Sequence, residues 1–282
     1  MAKKVVSVYG DISIKSPFNS DQLIIEISNF HIACIVKLSI QGELSAVEVY
    51  NFNSNEEEWY NIFQDIRMKS KILNRGFIDT RVFLNLSETV LIPTDFLKES
   101  TNAADYLQLI HGDSINQIVK TETIEVEPSI TVATKIKRGL MDAINSNLMM
   151  ISIHNSFKVF VENLMSPNRT YNHSLLKVQI YYAEIMVGLV YNGKLQIAQL
   201  YGQNTSEDIL YHLLNVLQQY NLKAEETTLE LSGLIEIKTP LYENLKKVFP
   251  RITFEVAKED LIVLHDFTKY SKHYLTPYLN LK

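Results

Sequence analysis

The chain has 282 residues, a formal net charge of −5 with histidine neutral, 46% hydrophobic residues and one cysteine, Cys34. A lone cysteine excludes an internal disulfide framework and a multi-cysteine zinc site, and nine glycines with seven prolines exclude collagen-like and low-complexity classes. The acidic balance argues against a nucleic-acid backbone as the main partner, because phosphate binding wants a basic surface.

The first ten residues, MAKKVVSVYG, hold two lysines with no long apolar core behind them, and Asp11 interrupts before a signal-peptide core forms. No window reaches the ~18 apolar residues of a membrane helix. The reading is a cytoplasmic protein without a membrane span, with residues 1–20 as an N-terminal extension. The segment Leu23 to Leu38 is rich in β-branched residues and reads as two strands joined by a tight hairpin at Ser28-Asn29-Phe30-His31. A second turn is expected at Gln41-Gly42 and a third strand to Tyr50. Ser54 and Glu57 have capping-box spacing, and Trp59, Ile62, Phe63 and Ile66 make one helical stripe. A strand over Arg81 to Leu86 follows, then an insertion near 88–130, a helix over Thr134 to Asn145, a strand over Leu148 to His154 and a closing segment from Ser156 to Met165. The polar turn Ser166-Pro167-Asn168-Arg169 reads as a boundary.

The chain then starts again. Leu175 to Val190 is a second hairpin, turning at Tyr181-Tyr182-Ala183-Glu184, and Asn192-Gly193 is a strong signal for a type I′ turn into a strand ending at Tyr201. Thr205 and Asp208 cap a helix whose stripe is Leu210, Leu213, Leu214 and Leu217. A strand over Thr227 to Leu231, a helix over Pro240 to Val248 stopped by Pro250, a strand over Arg251 to Val256 and a closing segment Leu261 to Leu264 complete the copy. Shifted by 151 positions, residues 42–60 match 193–211 at Gly42/Gly193, Leu44/Leu195, Tyr50/Tyr201, Asn53/Asn204, Glu56/Glu207 and Tyr60/Tyr211, six identities in nineteen. A repeat of this length means two structural copies. Each half reads β-β-β-α-β-α-β with a mixed five-stranded sheet, and the division is a first lobe over 21–166 and a second over 167–282, with a cleft between them.

That order, duplicated, resembles the actin, hexokinase and chaperone ATPase superfamily, whose lobes are ribonuclease H-like. GKLQIAQLYGQNTSEDILYHLLNVLQQYNL and LELSGLIEIKTPLYENLKKVF in the second copy, and VLIPTDFLKES in the first, are similar to a bacterial domain-of-unknown-function family with an actin-like ATPase fold. The resemblance implies that nucleotide would be held by the first hairpin turn of each half, where an acidic residue and glycines let backbone N–H groups reach the phosphates. Here those turns hold Ser28, Asn29 and Phe30, and Tyr181, Tyr182 and Glu184, with no glycine and no aspartate at the matching place. The adenosine-contacting Gly-Gly of the pattern aligns with Ser232-Gly233, one glycine kept. The expectation is therefore a pseudo-ATPase without a cofactor or metal, acting through a protein partner or by self-association. The alternative is a divergent ATPase or kinase with carboxylates such as Glu26 or Glu184, and a third option is a small-molecule sensor using the Ser232-Gly233 edge.

Other chemistries find little. No two glycines are closer than five positions, which excludes GxGxxG, and Gly188 and Gly193 have P-loop spacing, but Lys194 is followed by Leu195 where Ser or Thr is required. Cys34 sits in an apolar strand and reads as a core thiol. The seven histidines show no HxxxH or HExxH spacing, and His265-Asp266 with His273 is the most suggestive group. Glu56-Glu57-Glu58 suits a helix's first turn, Lys135, Lys137 and Arg138 read as a solvated basic face, and Tyr270, Tyr274 and Tyr278 mark the tail as a packing or contact segment.

Overall fold

The structure, a computed structural model, describes residues 1–10, 18–38, 44–53, 58–98, 101–113, 115–166, 174–257 and 269–281. The chain forms two compact units, one built on Met1–Val159 and one on Phe160–Ala257 with Thr268–Asn280.

The first unit runs β1 (Lys3–Tyr9), β2 (Phe18–Ser28), β3 (His31–Lys37), β4 (Leu44–Asn51), α1 (Trp59–Lys69), β5 (Gly76–Asn85), β6 (Thr89–Pro93), α2 (Ala103–His111), β7 (Gln117–Ile124), β8 (Ile130–Lys137), α3 (Arg138–Asn147), β9 (Ile151–Asn155) and the start of α4 (Ser156–Leu164). Its main sheet has the order β1-β4-β3-β2-β5-β9. The second unit runs from within α4 through β10 (Ser174–Ile180), β11 (Glu184–Tyr191), β12 (Lys194–Gly202), α5 (Ser206–Gln219), β13 (Thr227–Gly233), α6 (Pro240–Val248), β14 (Arg251–Phe254) and α7 (Thr276–Leu279), with sheet order β12-β11-β10-β13-β14. The shared pattern is plain: three antiparallel strands, then two parallel ones reached by helical crossovers. The duplication read from the 151-residue offset is therefore a duplication of topology. Among the described residues no helix is long and apolar enough to cross a membrane.

The inner strands read as nearly continuous apolar runs because both of their faces are covered. In the first unit Ile25, Ile27, Ile32 and Cys34 pack with Ile62, Phe63 and Ile66 of α1 and Leu140, Ala143 and Ile144 of α3. In the second, Val178, Ile180, Val187 and Leu189 pack with Ile209, Leu213, Val216 and Leu217 of α5. Each such valine, leucine, isoleucine or phenylalanine contributes about 1.5–3 kcal/mol when removed from water. Cys34 is fully buried, as a core thiol should be, and burial pushes its pKa well up.

One carboxylate is sunk into this layer. Glu48 on β4 is fully buried. Its Oε1 accepts from Lys4 Nζ (2.9 Å), from Tyr9 and from Lys71 N (3.0 Å), and its Oε2 from Tyr50 Oη (2.9 Å) and from Ser70. Burial alone would raise its pKa, but the donors Ser70, Tyr9, Lys4 and Lys71 N together hold it below the ordinary carboxylate range. Two of these donors come from β1, so Lys3–Tyr9, within the stretch expected as an extension, is pinned as a strand along β4.

The insertion is a three-stranded sheet, β6-β8-β7, packed on α2. It extends further than expected. Ile130–Lys137 is a strand, and the helix expected from Thr134 begins at Arg138. The β-branched run ITVATKI has paired partners on both sides, and that tertiary pairing overrides the helical spacing. The Asn192-Gly193 turn is as read, with φ of 50° and 71°, and Thr205 with Asp208 forms a complete capping box on α5. The expected turn at Gln41-Gly42, the Ser54–Glu57 cap and the segment Leu261 to Leu264 lie outside the described residues. α1 begins at Trp59, with Glu58 at the cap position and no side-chain cap hydrogen bond.

Candidate functional site

In an open parallel sheet, ligands sit beyond the carboxyl ends of the strands. In the first unit this end carries the β2–β3 turn. Ser28 is buried, and its Oγ accepts from the backbone N–H of both Phe30 and His31 at 3.0 Å, a local turn that short hydroxyl side chains favour. The same Oγ lies 2.8 Å from His31 Nδ1, His31 Nε2 lies 3.1 Å from Glu26 Oε2, and Ser156 Oγ donates to Glu26 Oε1 at 2.7 Å. Hydroxyl, imidazole and carboxylate thus stand in the order of a catalytic triad. All three are fully buried, however, and Ser28 Oγ is already engaged by two amides, so the array fastens the turn and the start of α4 rather than presenting a nucleophile. Asn29 Nδ2 donates to Ser87 Oγ (3.0 Å), and Phe30 O accepts from Phe52 N (2.9 Å). Asn85, paired in register with Ser28, is buried, and among the described residues neither end of its amide has a hydrogen-bond partner.

The second unit places its turn differently. Tyr181 N donates to Glu184 O (2.9 Å), and the backbone and side-chain amides of Gln203 donate to Ala183 O and Tyr181 O, each 2.9 Å. Tyr181 is buried, its Oη donating to Gln179 Oε1 (3.1 Å) and its ring meeting Tyr278 of α7 edge-on at 5.8 Å. Tyr182 is half exposed and Glu184 is buried. Gly233 has φ +91°, and a Cβ there would stand 2.1 Å from Ile180 O. Only glycine allows this approach, which Leu234 N→Ile180 O (2.8 Å) seals. Gly233 N in turn donates to His273 O (2.9 Å), so the tail segment lies directly on this glycine.

Ser232 points into a buried ionic group. Its Oγ donates to Glu255 Oε2 (3.2 Å), while Glu255 Oε1 accepts from Lys177 Nζ (2.6 Å) and Asn280 Nδ2 (3.1 Å). Lys177 is fully buried, with its ammonium 5.4 Å from the centre of the Phe160 ring. This pair was not legible in the sequence, because a strand lysine and a glutamate 78 positions later carry no mutual signal. The ring of His273 stacks on Phe254 at 4.1 Å and its Nε2 lies 2.7 Å from Ile235 O, while His265 and Asp266 fall outside the described residues. Lys137 and Arg138 line a groove of about 600 Å³ in the first unit with Trp59, Tyr60, Ile115 and Asp142, and Lys135 is instead turned to Gly112 O. Among the described residues no three His, Cys, Asp or Glu side chains cluster as a metal site needs.

The fold defined by the two like sheets is the actin-like ATPase fold. A Bacteroides thetaiotaomicron protein with an actin-like ATPase fold and unknown function superposes with a TM-score of 0.74 at 17% identity, over 87% of this chain and 94% of that one. The PilM–PilN type IV pilus biogenesis complex matches with a TM-score of 0.62 at 11% identity, over 92% of this chain and 96% of that chain. Residues 15–252 match the family described as protein of unknown function (DUF3822), and the chain belongs to that family. No curated protein matches the sequence significantly.

Proposed function

We propose that this chain is a non-catalytic actin-like protein, a pseudo-ATPase that serves as a protein-interaction or assembly module. The supporting observation is where the turn amides go. A phosphate-binding hairpin needs backbone N–H groups free to face the ligand. Those of Phe30 and His31 are taken by Ser28 Oγ, that of Tyr181 by Glu184 O and that of Gly233 by His273 O. The ring of Tyr181 lies against Tyr278, and no glycine relieves either turn. These residues do not fit a magnesium nucleotide. One structural neighbour is itself part of a complex, PilM with PilN, and that is a precedent for assembly on this fold.

A thermal-shift titration with Mg-ATP and Mg-ADP, with EDTA controls, tests the reading. A ligand at a hundredfold excess over its Kd stabilises by about 2.7 kcal/mol, which moves a chain of this size by several degrees. The expected result is no shift at millimolar nucleotide; a magnesium-dependent shift would overturn it.

The bare amide of Asn85 favours the second reading, a divergent nucleotide-dependent ATPase or kinase with Glu26 nearby, because a buried amide without partners costs about 1–3 kcal/mol for each group left unpaired. On that reading Asn85→Ala abolishes a nucleotide shift that the parent chain shows.

A further inference from the structure

The two sheets differ at one edge. In the first, β1 pairs antiparallel along β4, from Lys3 opposite Asn51 to Tyr9 opposite Ala46, and every residue of β4 is buried. In the second, the equivalent strand β12 is itself the edge, no described strand lies along its outer side, and none of its nine residues is buried.

Native sheets blunt such edges with short strands, charges, prolines or a covering element. The other edges among the described strands follow that rule. β1 opens with Lys3-Lys4, β14 has four residues and starts at Arg251, β9 has five, β6 has five and ends in Pro93, and β7 carries Lys120 and Glu122. β12 has only Lys194 at its start: from Leu195 to Gly202, eight of its nine residues, it holds neither charge nor proline. Among the described residues, side chains bond its backbone only toward the ends, Gln196 Nε2 donating to Lys194 O, Tyr220 Oη to Gln196 O, and His212 Nε2 lying 3.2 Å from Gly202 O.

We propose that β12 pairs with β12 of a second copy of this chain, antiparallel across a two-fold axis at Gln199, which joins two five-stranded sheets into one of ten strands. This rests on the assembly-module reading and names its partner. A two-fold axis makes the pair antiparallel, the polarity that β1 has on β4, and gives an isologous interface that closes on itself. The register about Gln199 uses the regular stretch Ile197 to Tyr201 and leaves out the irregular step at Leu195. It sets Ile197 opposite Tyr201, a favourable β-branched and aromatic pair, and Ala198 opposite Leu200, with no like charges facing. Gln199, the exposed residue at the axis, meets its own copy.

The test is the mass of the full chain in solution by light scattering and sedimentation. The wild-type chain is expected at twice its chain mass. Gln199→Lys, which sets two ammonium groups face to face at an exposed position, is expected at the single-chain mass with unchanged circular dichroism. Directly opposed residues of an antiparallel pair have Cα atoms about 4.5–5.5 Å apart, within disulfide reach. Gln199→Cys should therefore cross-link to a dimer under mild oxidation, whereas exposed Lys223→Cys should not, and buried Cys34 contributes nothing to either. A monomeric wild type, a dimeric Gln199→Lys, or cross-linking no faster at 199 than at 223 each overturns the proposal, a monomer leaving the edge to a strand of another protein. A magnesium-dependent nucleotide shift in an intact dimer would sink the non-catalytic reading alone.

Discussion

Gly233→Ala is the sharpest probe of the second turn. At φ +91° an alanine is strained by about 1–3 kcal/mol. Its Cβ would also stand 2.1 Å from Ile180 O, and because that atom is backbone, the turn must open to admit it. Overpacking of this kind adds about 1–3 kcal/mol, and opening weakens both Leu234 N→Ile180 O and Gly233 N→His273 O. The expected loss is about 3–5 kcal/mol in total, and at 2–4 °C for each kcal/mol a fall in Tm of about 10 °C. Gly193→Ala is the internal control. It shares a positive φ of +71°, but nothing lies within 4 Å of its added Cβ, so it carries only the strain, about 1 kcal/mol. Calorimetry and urea titration of both variants measure the difference. Equal losses at 233 and 193 would refute the close approach to Ile180, and with it the placing of the tail on that glycine.

Two further predictions concern the buried charges. Lys177→Met leaves Glu255 buried without its ammonium and should cost about 3–5 kcal/mol, while adding Glu255→Gln should recover part of it; full additivity in the double-mutant cycle would show that the pair is not coupled. Glu48 has a folded-state pKa below its unfolded value. It therefore contributes stability that is present above the unfolded pKa and is lost as pH falls from about 5 through the folded pKa. Glu48→Gln should be less stable at neutral pH and should flatten the acid limb measured by urea titration at stepped pH; an unchanged acid limb would show that Glu48 does not titrate below its ordinary range.

Local chemistry made much of the architecture legible. Asn192-Gly193 needs two positive φ values whatever surrounds it, Thr205 with Asp208 closes its box within four residues, and Leu213 with Leu217 marks the buried face of α5, although Leu214 of the expected stripe is exposed and Ile209 and Val216 complete that face instead. Repeated at a fixed offset, such signals were enough to read strand order and the duplication. The alternating KKVVSVY was too short and too near the start to separate a strand from an extension, and it becomes β1 because Lys4 and Tyr9 reach Glu48, 39 or more positions away. ITVATKIK is a strand because β6 and β7 flank it. The two turns were located correctly from sequence, and their lack of glycine was visible there. Ser28 and Glu184 occupy the turn amides from within three residues, but the distant groups that fill each site were not legible, because Ser156 lies 130 positions from Glu26, Tyr278 lies 97 from Tyr181 and His273 lies 40 from Gly233. Secondary structure rests on neighbours a few residues apart, which a sequence displays. The filling of a site rests on which distant side chains meet, and only the folded chain decides that.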